Sequence, residues 1–230
     1  MPTLSFDHLA VAGATLEAGI DWVEQRLGVR VPQGGRHPIM NTHNAVMRLG
    51  AGVYLEIIAI DPDAGPAEAP RWFSLDDPSM RDRLQVGGPM LVTWIARTSD
   101  LAATKAGAKA DIGEVRSMSR GDLRWRIGVR STSSMPLAGL HPICIEWPEG
   151  PHVSARMQDL GCRFEGLALR SGAPEELRSA LAAIGAEGLA EVRPMQRGAP
   201  QLEARIRRPD GSIAALTGDV VEASADRCKG

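Results

Sequence analysis

The sequence is poor in three features that would narrow its function at once: aromatic residues, cysteine, and an excess of charge of one sign. Aromatic residues make up 4% of the 230 positions, and five are tryptophan against one tyrosine. Lysine and arginine number 26 against 28 acidic residues, for a net charge of −2. No overall positive field therefore favours nucleic acid or an anionic membrane, and we expect neither as a partner.

Cysteines and long apolar runs are also scarce. The three cysteines, Cys144, Cys162 and Cys228, are odd in number and form no Cys-x-x-Cys pair of the kind that suggests zinc or redox chemistry. We interpret them as free thiols in a reducing compartment. No apolar run reaches the roughly 18 residues of a membrane helix, and the N-terminus lacks a basic region followed by an apolar core. The sequence thus predicts a soluble, cytoplasmic protein.

The remaining composition is that of a globular chain, with 43% hydrophobic and 23% charged residues. Residues 4–12 are mostly apolar and end at Gly13, which predicts a strand with His8, Ala10 and Ala12 on one face. Thr15 can cap a following helix, whose apolar residues recur at helical spacing until Gly28. The chain therefore begins with a strand and an amphipathic helix.

A second apolar strand, residues 54–60, contains a carboxylate, Glu56. Burying an unpaired carboxylate costs several kcal/mol, so such a group is usually neutralised, hydrogen-bonded or bound to a cation. His8 is the leading candidate for its partner. With two strands between the helix and this one, residues 4–61 predict the order β-α-β-β-β.

The same order is plausible twice more along the chain. Residues 164–169 align with residues 6–11 without a gap, and the glycine of a later turn, Gly211, follows Gly52 at nearly the same offset. The predicted division is a first module at 1–61, a connecting arm at 62–88 with one short helix near 78–84, a second module at 89–150, a third module-like unit at 160–220 and a tail at 221–230.

The repeat predicts which positions correspond to the polar pair. In the third unit His8 aligns with Gly166, and Glu56 with Ala214 or Ala215, so that unit keeps the strand pattern without the polar residues. In the second module His8 aligns with about Thr93, whereas Glu56 aligns with His141 or Ile143. We expect the third unit either to dock on the first two or to pair across a homodimer.

Three segments resemble a known family: residues 6–11 around His8, residues 35–38 leading to 42–44, and residues 54–59 around Glu56. They are similar to the glyoxalase-like domain of the vicinal oxygen chelate superfamily. The resemblance implies an α+β fold of repeated β-α-β-β-β modules forming curved, cupped mixed sheets. It also implies a divalent metal ion held by His8 and Glu56 that acts as a Lewis acid towards a small oxygen-rich metabolite. Thr93 stands where a second-module histidine is expected.

Other residues are predicted around this metal site. Glu56 and His43 are the candidate catalytic residues, although His43 and Asn44 also suit a turn. His37, Asn44, Trp94 and His141 are the candidate substrate contacts, and Trp94 suits the core equally well. We expect a lyase, isomerase or dioxygenase with a small-molecule substrate, or alternatively a non-catalytic protein of the same fold that binds or sequesters a small molecule.

Overall fold

A computed structural model describes residues 4–65, 67, 70–132, 134–195 and 201–219 of the chain. Cys228 and the predicted tail at 221–230 lie outside the described residues. The strands are β1 (Ser5–Ala12), β2 (Gln33–His37), β3 (Thr42–Gly50), β4 (Val53–Ile60), β5 (Met90–Arg97), β6 (Glu114–Arg120), β7 (Leu123–Val129), β8 (Ile143–Glu146), β9 (Arg163–Ser171), β10 (Glu191–Pro194), β11 (Gln201–Arg207) and β12 (Ile213–Asp219). The α-helices are α1 (Leu16–Leu27), α2 (Pro78–Val86), α3 (Leu101–Gly107) and α4 (Pro174–Ala183).

The first helix follows directly from local sequence. The side chain of Thr15 accepts a hydrogen bond from the Ala18 amide, and Gly28 ends the helix in the left-handed conformation with φ 72°. The apolar stripe of α1 is buried against the first strands, as its spacing predicts. The predicted cap and end of this helix are therefore confirmed.

Eight strands form one sheet in the order β2-β3-β4-β1-β5-β8-β7-β6. In each half the first strand of a module pairs in parallel with its fourth, β1 with β4 and β5 with β8, and β1 and β5 join the halves as antiparallel neighbours. The two outer strands approach each other, since Arg120 on β6 lies 3.2 Å from the ring of His37 on β2. The sheet is therefore curled into a cup, and the predicted α+β fold of cupped mixed sheets is confirmed.

A shift in register places the side chains of Phe6 and His8 on opposite faces of this sheet, although they are two residues apart on β1. The pairing of β1 with β5 is irregular between Phe6 and His8. Phe6 packs on the outer face, where its ring stacks on Trp94 at 5.6 Å and on Phe164 at 4.2 Å. His8 lines the inside of the cup. The shift thus allows the polar group of β1 to face inward while its neighbours fill the core.

The third unit forms a separate four-stranded sheet in the order β10-β9-β11-β12. Its first strand, β9, lies between β10 and β11, whereas β1 in the first module pairs with the fourth strand. Ala214 and Ala215, which align with Glu56, do lie on the fourth strand of this unit, β12. Among the described residues of this sheet, however, β12 pairs with β11 and not with the first strand, so the alanines have no position equivalent to that of Glu56 beside β1. A strand pattern identifies the buried face but not the neighbouring strand.

This sheet docks on the outer face of the cup and shares its core. Phe164 of β9 stacks on Phe6, and β12 packs against β5. A Cβ at Gly218 would overlap the backbone of Leu91, so this close approach requires glycine. Of the two predicted arrangements, docking on the first two modules is the one observed.

The arm between the modules contains α2 and crosses the mouth of the cup with Trp72 and Phe73. Phe73 and Ser74 both have φ 58°, a left-handed backbone that costs non-glycine residues energy.

Cys144 and Cys162 are buried free thiols, as predicted. Among the described residues, none of the helices combines the length and the apolar composition needed to cross a membrane.

Candidate functional site

A small cavity of about 40 Å³ lies inside the cup. A water molecule needs at least about 10–15 Å³ of such space, so the cavity holds an ion or a few waters, and a metabolite enters only if the walls move. The first module supplies most of its polar wall and the second module most of its apolar wall. The lining residues include His8, His37, Asn44, Tyr54, Glu56, Trp72, Phe73, Arg120, Trp125, Ile127, Ile145 and Trp147.

His8 is held at one ring nitrogen by its sequence neighbour. Its Nδ1 lies 2.6 Å from Oδ1 of Asp7. An ionised carboxylate can only accept, so Nδ1 carries the proton and donates it. Burial alone would lower the pKa of His8, but the hydrogen bond to Asp7 and the charges of Asp7 and Glu56 raise it above its usual value. The other nitrogen, Nε2, faces the cavity.

Asp7 is fully buried and fixed by several donors. Its Oδ2 accepts hydrogen bonds from Nε1 of Trp147 at 3.0 Å and from Nε2 of His152 at 2.9 Å, and the guanidinium of Arg97 lies 3.7 Å away. Burial would raise the pKa of Asp7, but the hydrogen bonds from His152 and His8 lower it to about 2. Asp7 is thus an ionised, immobile support for the ring of His8.

Glu56 and Tyr54 lie near the free nitrogen of His8 without closing on it. Oε2 of Glu56 is 3.6 Å from His8 Nε2, and the hydroxyl of Tyr54 is 3.5 Å from the same atom. Both distances exceed those of a well-formed hydrogen bond. Burial would raise the pKa of Glu56, but the interaction with His8 and a 2.6 Å hydrogen bond from Nδ2 of Asn44 lower it. Glu56 is therefore ionised near neutral pH.

Asn44 connects Glu56 to the opposite wall of the cup. Its Oδ1 accepts hydrogen bonds from the amide of Gly35 at 3.0 Å and from Nη1 of Arg120 at 3.1 Å. These two donors fix the orientation of the amide, so that Nδ2 must donate to Glu56. A continuous network runs from Arg120 through Asn44 to Glu56.

His37 supports the same arginine as a neutral ring. Its Nε2 lies 3.2 Å from Nη1 of Arg120, which can only donate, and its Nδ1 lies 3.1 Å from Oγ1 of Thr42. Nε2 is therefore the acceptor, and Nδ1 carries the proton. Burial, aided by the charge of Arg120, lowers the pKa of His37 to about 4. His37 and Asn44 lie in the predicted site.

Three predicted residues are not brought to the cavity. His43 alternates with Asn44 along β3 and faces the other side of the sheet, where its charged neighbours are Arg36, Asp61 and Asp63. Because neighbouring strand residues point to opposite faces, His43 and Asn44 cannot both face the cup. The structure therefore does not place His43 at the cavity, where it was predicted.

Trp94 and His141 also lie elsewhere, so the structure does not place these two predicted substrate contacts at the cavity. Trp94 is fully buried on the outer face of the sheet, and its Nε1 donates to the carbonyl of Leu140 at 2.9 Å. His141 is buried, with Nδ1 2.9 Å from the Pro142 carbonyl and Nε2 without a hydrogen-bond partner in the described structure. Both residues belong to the core.

The sequence interpretation missed Asp7, Tyr54 and Arg120. Tyr54 lies two positions before Glu56 on the same face of a strand, so alternation could have identified it. Asp7 is adjacent to His8, and in a regular strand its side chain would point to the opposite face of the sheet. The register shift of β1 is what brings the two side chains together. Arg120 comes from the far edge of the sheet, and no local pattern marks it.

Within the described residues, no group of three or more His, Cys, Asp or Glu side chains is arranged to hold a metal ion. The two donors that fit are Nε2 of His8 and Oε2 of Glu56. They face the cavity at a separation that leaves space between them, and a carboxylate orients the other nitrogen of the histidine, as is usual for metal-ligating histidines. Any further ligands have to be water or substrate.

A cup of paired β-α-β-β-β modules, with a histidine on the first strand and a glutamate on the fourth, is the arrangement that the resemblance to the vicinal oxygen chelate superfamily implies. The model of the glyoxalase-like domain family matches residues 6–185, and the chain belongs to that family. The predicted resemblance is thereby confirmed. No curated protein sequence matches the chain.

The solved structures that are similar to this chain are distant from it in sequence. A hypothetical protein from Staphylococcus aureus is 13% identical over 92% of this chain and 84% of its own, with a TM-score of 0.52, which shows the shared fold. A variant of Streptomyces coelicolor methylmalonyl-CoA epimerase in complex with 2-nitronate-propionyl-CoA is 15% identical over 66% and 99%, with a TM-score of 0.42. A mutant of 4-hydroxymandelate synthase from Streptomyces coelicolor is 14% identical over 94% and 63%, with a TM-score of 0.46.

Proposed function

We propose that this protein is a divalent-metal-dependent enzyme, of lyase, isomerase or dioxygenase type, that acts on a small oxygen-bearing molecule inside the cup. One observation carries the proposal. His8 is clamped by Asp7 at Nδ1 and presents Nε2 to the cavity, 3.6 Å from an ionised Glu56. These two buried side chains form a long ion pair rather than a close hydrogen bond, and the space between them suits a shared cation.

His8 and Glu56 would hold the ion, and the chemistry of the pair fits one. A neutral imidazole and a carboxylate together suit zinc, iron and manganese. Metal binding requires a deprotonated Nε2, whereas the raised pKa of His8 favours a proton there. A proton and a metal ion therefore compete for the same nitrogen, and metal affinity should rise with pH.

When bound, such an ion would supply a Lewis acid that polarises a substrate oxygen. The protein residues would prepare the site for this. Asn44 fixes the carboxylate of Glu56 by its hydrogen bond to Oε1, and Tyr54 presents a hydroxyl beside His8. Trp125 and Trp147 exclude water from the opposite wall, which strengthens electrostatic interactions inside the cup. We assign no role in the reaction to His43.

Metal loading of purified protein tests the proposal. The protein is stripped with a chelator, dialysed, and titrated with Mn²⁺, Fe²⁺ and Zn²⁺, and bound metal is measured by mass spectrometry. We expect one ion per chain in the wild type and its loss in His8→Ala and Glu56→Ala. His43→Ala is the matched control and should bind like the wild type. Stoichiometric metal that survives both ligand substitutions would refute the assignment.

A second candidate function is non-catalytic binding of a small molecule, and the second-module wall favours it. Strands β7 and β8 contribute Ile127 and Ile145, and Trp147 directly follows β8; none of the three is a metal ligand. The hydroxyl of Thr93 donates to the carbonyl of Gly139 at 3.1 Å and is fully buried. Failure to load any of the three metals, together with tight binding of a small molecule, would support this function over the first.

A further inference from the structure

We propose that Arg120 binds a carboxylate group of the ligand, so that the molecule accepted by the cup is a small carboxylic acid. The inference rests on the proposed function only in taking the cup as the working site, and it deepens that function by naming a substrate class. Arg120 reaches the cavity from β6, on the opposite edge of the sheet from β2 and β3.

The guanidinium of Arg120 is only partly used by the protein. Its Nη1 donates to Nε2 of His37 at 3.2 Å and to Oδ1 of Asn44 at 3.1 Å. A guanidinium has five N–H donors, of which Nη1 carries two. In the described part of the chain, the Nε and Nη2 hydrogens have no acceptor. These form one edge of the guanidinium fork, the arrangement that binds both oxygens of a carboxylate.

The positive charge of Arg120 has no carboxylate partner within 4.0 Å among the residues the structure describes. Some other arginines of this sheet do have one, such as Arg126 with Glu146 at 2.5 Å and Arg36 with Asp61 at 2.9 Å. Both protein acceptors of Arg120 are neutral, since His37 is uncharged near neutral pH. A charge beside the apolar side chains of this cavity is stabilised by an anion, and the protein supplies none next to it.

The neighbouring residues hold Arg120 in place rather than neutralise it. A Cβ at Gly35 would lie 3.0 Å from Cδ of Arg120, and one at Gly34 would overlap Oδ1 of Asn44. The glycine pair thus opens the slot in which the arginine and the amide lie. Because His37 is itself oriented by Thr42, the guanidinium is positioned before a ligand arrives.

A carboxylate fits this position better than a larger anion. The fork of an arginine matches the planar carboxylate in a two-bond contact. The cavity of about 40 Å³ is small, and its walls include the aromatic rings of Trp72, Trp125 and Trp147. A compact acid with a short apolar or aromatic body suits these walls once they move to admit it.

Matched acids and amides test this assignment. Acetate, benzoate and phenylacetate, and the three corresponding neutral amides, are titrated into metal-free protein at constant ionic strength by calorimetry. Removing the metal prevents it from binding the acids itself. We expect at least one acid to bind about 10- to 100-fold more tightly than its amide, as for a charge-assisted hydrogen-bonded pair.

The variant Arg120→Gln should lose this preference, and Arg120→Lys should retain only part of it because lysine lacks the fork. Arg124→Gln is the control, since Arg124 is on the same hairpin and bonds only the carbonyls of Gly121 and Leu123. If Arg120→Gln does not fold by circular dichroism, Arg120→Lys decides. No acid preference in the wild type, or an undiminished preference in the Arg120 variants, would overturn the inference.

The outcomes separate this inference from the proposed function. Acid preference in a protein that loads no metal leaves the role of Arg120 intact while the metal-dependent function falls. If metal loading depends on His8 and Glu56 but the protein shows no preference for acids, the metal-dependent function stands and the proposed role of Arg120 is refuted. The variants His8→Ala and Glu56→Ala should keep the acid preference.

Discussion

Replacing Asp7 by asparagine should switch the proton on His8 from one ring nitrogen to the other. In the native protein Oδ2 of Asp7 accepts from Nε1 of Trp147, an atom that only donates. The oxygen of the new amide must therefore stay beside Trp147, and its NH₂ group must face Nδ1 of His8. That nitrogen then accepts, and the ring proton moves to Nε2, where it blocks metal binding.

Two magnitudes follow from this arrangement. Losing the outer partner of a metal-ligating histidine lowers metal affinity by about 10- to 100-fold, or about 1.4 to 2.7 kcal/mol. The pKa of Asp7 is about 2, against an ordinary value of 3.8. That difference is worth about 2.5 kcal/mol of stability, present above pH 4 and lost as the pH falls towards 2. The stability gap between wild type and Asp7→Asn should therefore narrow over that range.

The ring proton can be followed directly by nitrogen-15 NMR of the histidine side chains, and metal affinity by titration. The variant that adds Trp147→Phe and His152→Phe to Asp7→Asn is a sharp control. It removes both donors that fix the amide, Nε1 of Trp147 and Nε2 of His152, so the amide can turn its oxygen to Nδ1 of His8 and restore the native tautomer. We expect metal affinity to recover in this triple variant. A proton that stays on Nδ1 in Asp7→Asn, or unchanged metal affinity, would refute the reasoning.

Two further predictions concern stability. Burial lowers the pKa of His141 to about 4 from 6.5, so below pH 6.5 the unfolded chain takes up a proton that the folded chain refuses, and roughly 3 kcal/mol is lost by pH 4. His141→Gln should flatten this acid limb in urea unfolding measured against pH, and an unchanged slope contradicts the prediction. Gly34→Ala should cost about 1–3 kcal/mol by displacing Asn44, whereas Gly172→Ala, with no atom within 4 Å of its Cβ, should be nearly neutral in the same assay.

The sequence was most informative where a charged residue stands in an apolar strand. Glu56 stands in an apolar run whose burial demands a partner, and His8 lies on a neighbouring strand with the same inward face. Thr15 caps the N-terminus of α1 and Gly28 ends the helix, as their capping preferences predict. These inferences use local rules of burial and capping, and such rules operate within a few residues of the chain.

The errors concern residues whose position depends on strands that are far apart in the sequence. Trp94 faces outward because the pairing of β1 with β5 shifts twice, and strict alternation does not describe that stretch. Arg120 enters the site only because the two edges of the sheet curl together. His43 is different, since alternation along β3 already excluded it from the face of Asn44.

The central position of β9 in the outer sheet bears on how the chain can be shortened. The family match ends at residue 185, just after α4, while both hydrogen-bonding neighbours of β9 come later, as β10 and β11. A fragment cut at that boundary would leave β9 with two unpaired edges, which is a template for aggregation. The end of the family match is thus not a limit of folding, and an expressible fragment has to extend through β12.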